Sequence, residues 1–414
     1  RDLVLYSMKE NGKISKEQYD QAVATPVTDG LIAHNNNVNS DDKALVYDSF
    51  VTMVLKEVQE KTGLDPYNDG LTIETTIDSK AQQRLYDIVN TNDYIQYVND
   101  KIQNAVVMLD TKTGAVRAVN GGRKQTTLLG YNRATDNTRS TGSTIKPVID
   151  YGPAIEYLNY STGQTIMDQR TTYSNGVELN NWDFSHKGAM TLRTALVYSR
   201  NTTALQTFKA VGETNIKSFL NNLDIQIKND GQDYLVESNS IGADISPIKM
   251  AAAYATFGNY GTYSKPYTVR KVTTRDGQVT EFKPEQKQAM KDSTAYMITD
   301  VLKDSFKYGF ATQATIPGLP TAAKTGSSNY TVEQKRAMGA SDYEDIIPDS
   351  WFIGYSTDYT ISAWTGYDNP YEQGGGVDTT EQEYSRLIYY YLMKYMAESS
   401  SGDDWVQPDS VVKQ

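Results

Sequence analysis

Cysteine is absent from this 414-residue chain, which excludes disulfides, thiolate nucleophiles and zinc sites built on cysteine. Histidine is nearly absent, with only His34 and His186. His34 sits in the polar run His34-Asn35-Asn36-Asn37 and reads as a solvated loop residue. His186 stands near Trp182 and Asp183, but no serine lies in a G-x-S-x-G elbow, which argues against Ser-His-Asp chemistry. Positive charge is scarcer than negative: the net charge of -11 argues against nucleic acid as the main partner. No apolar run is long enough to span a membrane, and no signal peptide is visible. The chain begins with Arg1 rather than Met, so it is expected to be a fragment of a longer one.

What is present is helix and strand patterning in separate blocks. Residues 1–28 read as short helical pieces, broken at Asn11-Gly12, with Ser15 capping the second. Residues 29–42 are polar and Asn-rich, which suggests a linker. A helix is expected over 43–62, where Tyr47, Phe50, Val51, Val54, Leu55 and Val58 form one stripe that Gly63 ends. A shorter helix is expected from Ser79, with Leu85, Ile88 and Val89 on its apolar face. The largest unit starts near Asn104. Residues 105–109 and 115–119 flank a turn ending in Gly114 as one hairpin, and residues 351–355 and 359–367 form a second. Helical segments are expected over 191–211, 247–257 and 381–396. Strands at both ends with helices between them give an α+β fold, an antiparallel sheet covered by helices. The expected divisions are 1–28, 29–103, 104–398 and 399–414.

Three short patterns carry the chemistry, and each occurs more than once. S-x-x-K starts at Ser40, Ser143, Ser246 and Ser410; S-x-N at Ser199 and Ser327; K-T-G at Lys61, Lys112 and Lys324. Context separates them. Ser246 precedes Pro247 and reads as a helix N-cap. Ser40 lies in the expected linker and Ser410 at the chain end. Ser143 belongs to Gly142-Ser143-Thr144-Ile145-Lys146-Pro147, where Pro147 places a helix start close to the serine and puts Ser143 and Lys146 on one face. Gly142 allows another stretch of chain to approach closely. A serine hydroxyl needs a base, and a lysine serves when burial or a second cation lowers its proton affinity. Lys61 and Lys112 read as a solvated helix end and a turn. Lys324-Thr325-Gly326, after Ala322 and Ala323, reads as the start of an edge strand. There Gly326 leaves room for a substrate backbone, Lys324 and Thr325 can bind a carboxylate, and the Ser327 N–H can complete an oxyanion hole with that of Ser143.

Ser143-x-x-Lys146, Ser199-x-Asn201 and Lys324-Thr325-Gly326 fall in one order, the signature of penicillin-binding proteins and class A β-lactamases. The chain therefore resembles the penicilloyl-serine transferase superfamily. Residues 1–27 are similar to the tail of a glycosyltransferase domain, with Met8, Gly12, Ile14 and Tyr19. Residues 70–78 with Gln82, the run Asn132-Arg133-Ala134-Thr135, and Ser246-Pro247 leading to Met250, Tyr254 and Gly258-Asn259-Tyr260-Gly261 are similar to bifunctional class A penicillin-binding proteins, the streptococcal branch above all. Two departures stand out: Arg200 where the β-lactamases usually carry Asp, and Ser327 where Thr is common.

The resemblance implies a penicillin-binding/β-lactamase-like transpeptidase fold behind a short linker region. It also implies a D,D-transpeptidase that crosslinks peptidoglycan stem peptides ending in D-Ala-D-Ala. Ser143 would be the nucleophile, Lys146 the base, Ser199 a proton relay, and Asn201 the group that orients Lys146 and the substrate amide. Lys324, Thr325, Gly326 and Ser327 would bind substrate. No metal, cofactor or nucleic acid is implied. The implied partners are stem peptides, β-lactam antibiotics, and an upstream glycosyltransferase domain and membrane anchor, which would hold the domain at the extracellular face of the cytoplasmic membrane. A D,D-carboxypeptidase and a non-catalytic β-lactam sensor remain as alternatives. A class A β-lactamase fits less well. It needs Glu-x-x-x-Asn between the second and third motifs, and Glu213, Glu237, Glu281 and Glu285 are each followed four residues on by Lys217, Ile241, Glu285 and Ala289.

Overall fold

The computed structural model describes residues 1–26 and 38–412, with side chains from residue 43 in the second stretch. His34 and residues 29–37 of the expected linker lie outside the described residues. Two compact units divide between Lys43 and Ala44. In the first, helices Asp2–Glu10 and Lys16–Ala24 follow the expected break. The second begins with a capping box: Ser15 Oγ accepts from Gln18 N at 3.2 Å while Gln18 Oε1 accepts from Ser15 N at 2.7 Å. The long helix begins at Val38, five residues earlier than expected, because its polar first turn carries no apolar stripe to read.

The second unit is built on a five-stranded antiparallel sheet. Its strands are β1 (Gln103–Asp110), β2 (Val116–Asn120), β3 (Ala322–Ser327), β4 (Asp349–Tyr355) and β5 (Tyr359–Gly366). Their order is β3-β4-β5-β1-β2, so both expected hairpins form and the Lys324 strand lies at an edge. Successive side chains point to opposite faces. Ala105, Val107 and Leu109 join the core that contains Met250, Tyr254 and Phe257, while Val106 and Met108 join the core that contains Leu85, Ile88, Ile388 and Leu392. Helix Pro247–Gly258 therefore covers one face, and helices Ser79–Asn90 and Tyr384–Ala397 cover the other. With both faces buried, β1 reads as a continuous apolar run rather than an alternation.

Three local expectations are corrected. The segment 191–211 is not one helix: it breaks into Leu192–Val197 and Asn201–Val211, with Ser199 between them at φ 54°. The α-helix expected close to Ser143 starts only at Gly152. Before it come a 3-10 turn, Gly142–Ile145, and a wide π turn, Pro147–Tyr151. Ser246 occupies an N-cap position, but its side chain makes no capping hydrogen bond. The chain end is also tied down. Trp405 is buried and its indole N–H donates to Gly258 O at 2.8 Å, and Ser410 Oγ bonds Asp292 at 2.9 Å.

Candidate active site

The three motifs meet where the 3-10 turn abuts the edge strand β3. A Cβ on Gly142 would lie 2.2 Å from Ser327 O and 2.7 Å from Ser327 N, and one on Gly326 would lie 2.5 Å from Thr141 O. Each glycine is needed because a neighbour of the other runs against it, Ser327 against Gly142 and Thr141 against Gly326. Gly142 does admit another stretch of chain, as expected. The space that a Cβ on Gly326 would take is filled by Thr141 and Thr144 of this chain. The contact packs the turn that carries Ser143 against the strand end that carries Ser327. Ser143 is half-buried and Ser327 exposed. In a 3-10 turn residues three apart eclipse, so Lys146 follows Ser143 on the same side.

Lys146 is fully buried. Its Nζ donates to Ser199 O at 2.7 Å, to Asn201 Oδ1 at 2.7 Å and to Arg200 O at 3.2 Å, with Ser199 Oγ at 3.4 Å. Lys324, 2 % exposed, donates from Nζ to Ser199 Oγ at 2.9 Å and to Thr325 O at 2.9 Å. Ser199 Oγ thus stands between two lysines from distant parts of the chain. Burial pushes Lys324 down to about 7. Burial, then the charge of Lys324, hold Lys146 well below the usual lysine range. Thr325 and Gly326 are half-buried beside Lys324 on the edge strand.

The break at Ser199 is imposed from outside the segment. Asn181 Oδ1 accepts from the backbone N–H of Asn201 at 2.7 Å and of Thr202 at 3.3 Å, capping the second helix from twenty residues upstream. Lys146 takes the carbonyls of Ser199 and Arg200. The Arg200 guanidinium, also buried, bonds Asp168 at 2.9 Å, both oxygens of Asp183 at 2.9 Å, and Ser185 O. Asp168 in turn accepts from Thr202 Oγ at 2.6 Å and Asn181 Nδ2 at 2.7 Å. Burial works to raise the Asp168 carboxyl, but these donors outweigh it and hold it below the ordinary range. Asp183 is therefore an Arg200 partner. His186 has its Nδ1 buried without a hydrogen bond, 3.9 Å from Asp168.

Sequence reasoning missed Asp168, Asn181 and Asp150. Asp168 lies 32 residues from its partner Arg200 and Asn181 lies 20 residues from Asn201, so no local pattern joins them to the motif they brace. Only the departure at Arg200 hinted at a partner. Asp150 did carry a signal: a lone charge in the apolar run Val148-Ile149-Asp150-Tyr151. A cavity of about 610 Å³ adjoins the Ser199 turn, lined by Tyr198 and Arg200 together with Trp182, Tyr308 and Phe310.

The other copies of the motifs lie elsewhere. Lys112 is exposed and reaches Asp358 at 3.3 Å. Lys61 pairs with Glu57 at 2.8 Å over the Phe282 ring, so it is held at the surface rather than freely solvated.

A fold of this topology is that of an acyltransferase domain. The family model for the penicillin-binding protein transpeptidase domain matches residues 104–389, and the chain belongs to that family. It is 38% identical to penicillin-binding protein 1A of Streptococcus pneumoniae, covering 100% of this chain and 58% of the relative. It is 39% identical to penicillin-binding protein 1A/1B of Bacillus subtilis, covering 100% and 44%. The chain thus spans about half the length of these relatives. Among solved structures it is similar to the penicillin-binding protein PonA1 of Mycobacterium tuberculosis, with a TM-score of 0.75 at 22% identity, over 88% of this chain and 95% of that one.

Proposed function

We propose that the chain is the transpeptidase portion of a class A penicillin-binding protein and works through an acyl-enzyme on Ser143. One observation carries this reading: Ser199 Oγ accepts from both Lys146 and Lys324, so the second and third motifs converge on the lysine that follows Ser143 by three residues. Lys146 takes the Ser143 proton as the hydroxyl attacks the peptide carbonyl of a D-Ala-D-Ala stem. Burial and the Lys324 charge weaken its hold on its own proton, which lets it serve as a base. Ser199 passes a proton toward the leaving D-Ala, and Asn201 keeps Lys146 in place. The Ser143 and Ser327 N–H groups receive the developing oxyanion, and Gly326 lets them come together. Lys324 and Thr325 present charge and a hydroxyl to the substrate carboxylate. An amine from a second stem peptide then takes the acyl group and frees Ser143, crosslinking the two stems.

The same chemistry makes β-lactams inhibitors. The S. pneumoniae and B. subtilis relatives carry the penicillin-binding name, and PonA1 has been solved in complex with penicillin V. An upstream glycosyltransferase domain and a membrane anchor on the extracellular side of the cytoplasmic membrane complete the reading. The relatives' greater length supports it.

The test is intact-mass spectrometry after exposure to penicillin, with peptide mapping of the adduct. One penicilloyl group on Ser143, lost in Ser143→Ala and kept in Ser246→Ala, is the expected result. An adduct on Ser246, or labelling that survives Ser143→Ala, overturns the assignment. A stable adduct with no reaction on any stem peptide points to a sensor instead.

A further inference from the structure

Lys146 Nζ meets three carbonyl oxygens at 2.7, 2.7 and 3.2 Å. An ammonium has three donors for them, whereas a neutral amine has two and would turn its lone pair on the third. The cage is therefore shaped for the charged form. A fully buried ammonium is costly without a counter-charge. Arg200 already engages Asp168 and Asp183. Lys324 adds a second cation and no anion.

One buried carboxyl at the site is uncommitted. Asp150 lies four residues after Lys146 in the π turn Pro147–Tyr151 and is fully buried. Neither of its oxygens has a hydrogen-bond partner among the described residues. Burial raises its carboxyl well above the usual range, and the charge of Lys146 opposes that. Lys146 acts on Asp150, while Asp150, Lys324 and Arg200 act on Lys146. The adjacent phenol of Tyr151 is occupied with Thr203 Oγ1 at 2.9 Å.

We propose that Asp150 is the counter-charge of Lys146, a positioning residue whose buried carboxylate sets how tightly Lys146 holds its proton. Burial and Lys324 push that proton off; Asp150 opposes them. The two groups titrate as a coupled pair, charged together or neutral together. The balance keeps Lys146 basic enough to accept the Ser143 proton in a site that otherwise repels positive charge. The proposal rests on Lys146 as the base of the acyl-serine reaction.

The rate of acylation by a chromogenic β-lactam, followed against pH, tests it. In Asp150→Asn and Asp150→Leu the acid limb moves to lower pH by about 1–3 units, the span of a close charge partner. A structural role would lower stability and leave the limb where it is, and an unmoved limb in either folded variant overturns the proposal. A second measurement needs no Asp150 variant and no acylation. In Lys146→Met the ammonium is gone, so Asp150 takes up a proton and a protonated-carboxyl band appears in the infrared difference spectrum against the native chain at neutral pH. No new band overturns the proposal. A chain that forms no penicilloyl adduct refutes the acyl-serine reading instead, so the two failures are distinguishable.

Discussion

Lys324 and Lys112 each open a K-T-G triplet, and their surroundings share nothing. Lys324 is buried on an edge strand with its Nζ on Ser199; Lys112 is 61% exposed in a hairpin turn, 3.3 Å from Asp358. The same side chain is a low-affinity proton holder in one place and an exposed partner of a carboxylate in the other. Desolvation makes the difference, and it is not a property of the triplet.

The sharpest way to break this contrast is to change the cation's chemistry without its charge. Lys146→Arg cannot give up a proton, so acylation should fall by about 10²–10⁴, the range of general-base catalysis. Lys112→Arg should acylate at the native rate. A near-native Lys146→Arg would make Lys146 an electrostatic partner only. The brace behind the Ser199 turn comes next. Arg200→Ala strands the buried Asp168 and unpairs the half-buried Asp183, and should cost about 3–5 kcal/mol in urea unfolding. A loss below about 1 kcal/mol would mean that the turn holds itself. Lys324→Ala should slow acylation by about 1.5–3 kcal/mol, the scale of a hydrogen bond to a charged group. Lys112→Ala and Lys61→Ala should leave the rate unchanged, and equal effects at the three lysines would erase the distinction.

The most gradual effect is on stability against pH. Burial lowers Lys324 to about 7 in the folded chain, against 10.5 ordinarily. Between those values the unfolded chain holds a proton that the folded chain does not, so stability rises with pH from about 7 to about 10.5 and gains nothing from this group below 7. The contribution is at most about 1.4 kcal/mol per pH unit. Lys146 acts in the same direction, so the measurement is the difference in slope between the native chain and Lys324→Met in denaturant titrations at several pH values. Identical slopes would mean that Lys324 keeps its proton when buried.

Much of the frame was legible because apolar periodicity is local. Leu85, Ile88 and Val89 face the core as their spacing predicts, and both hairpins pair as their turn residues predict. The break at Ser199 was not legible, because no Gly or Pro interrupts 191–211 and the apolar pattern runs through it. Asn181 and Lys146 make the break by taking backbone groups that a continuous helix would have paired internally.

By itself the sequence determined which residue types stand at which spacing: the order of Ser143, Lys146, Ser199, Asn201 and Lys324, the edge strand that carries the last of them, and the absence of any thiol or competing elbow serine. Only the tertiary structure decided which copies of each pattern are buried together. It also decided that Ser199 adopts a left-handed backbone, that Arg200 is braced by Asp168 and Asp183, and that Asp150 has no donor among the described residues. The reason is that dielectric and proton affinity depend on what surrounds a side chain in space, and the neighbours that matter here come from stretches 32, 53 and 125 residues apart.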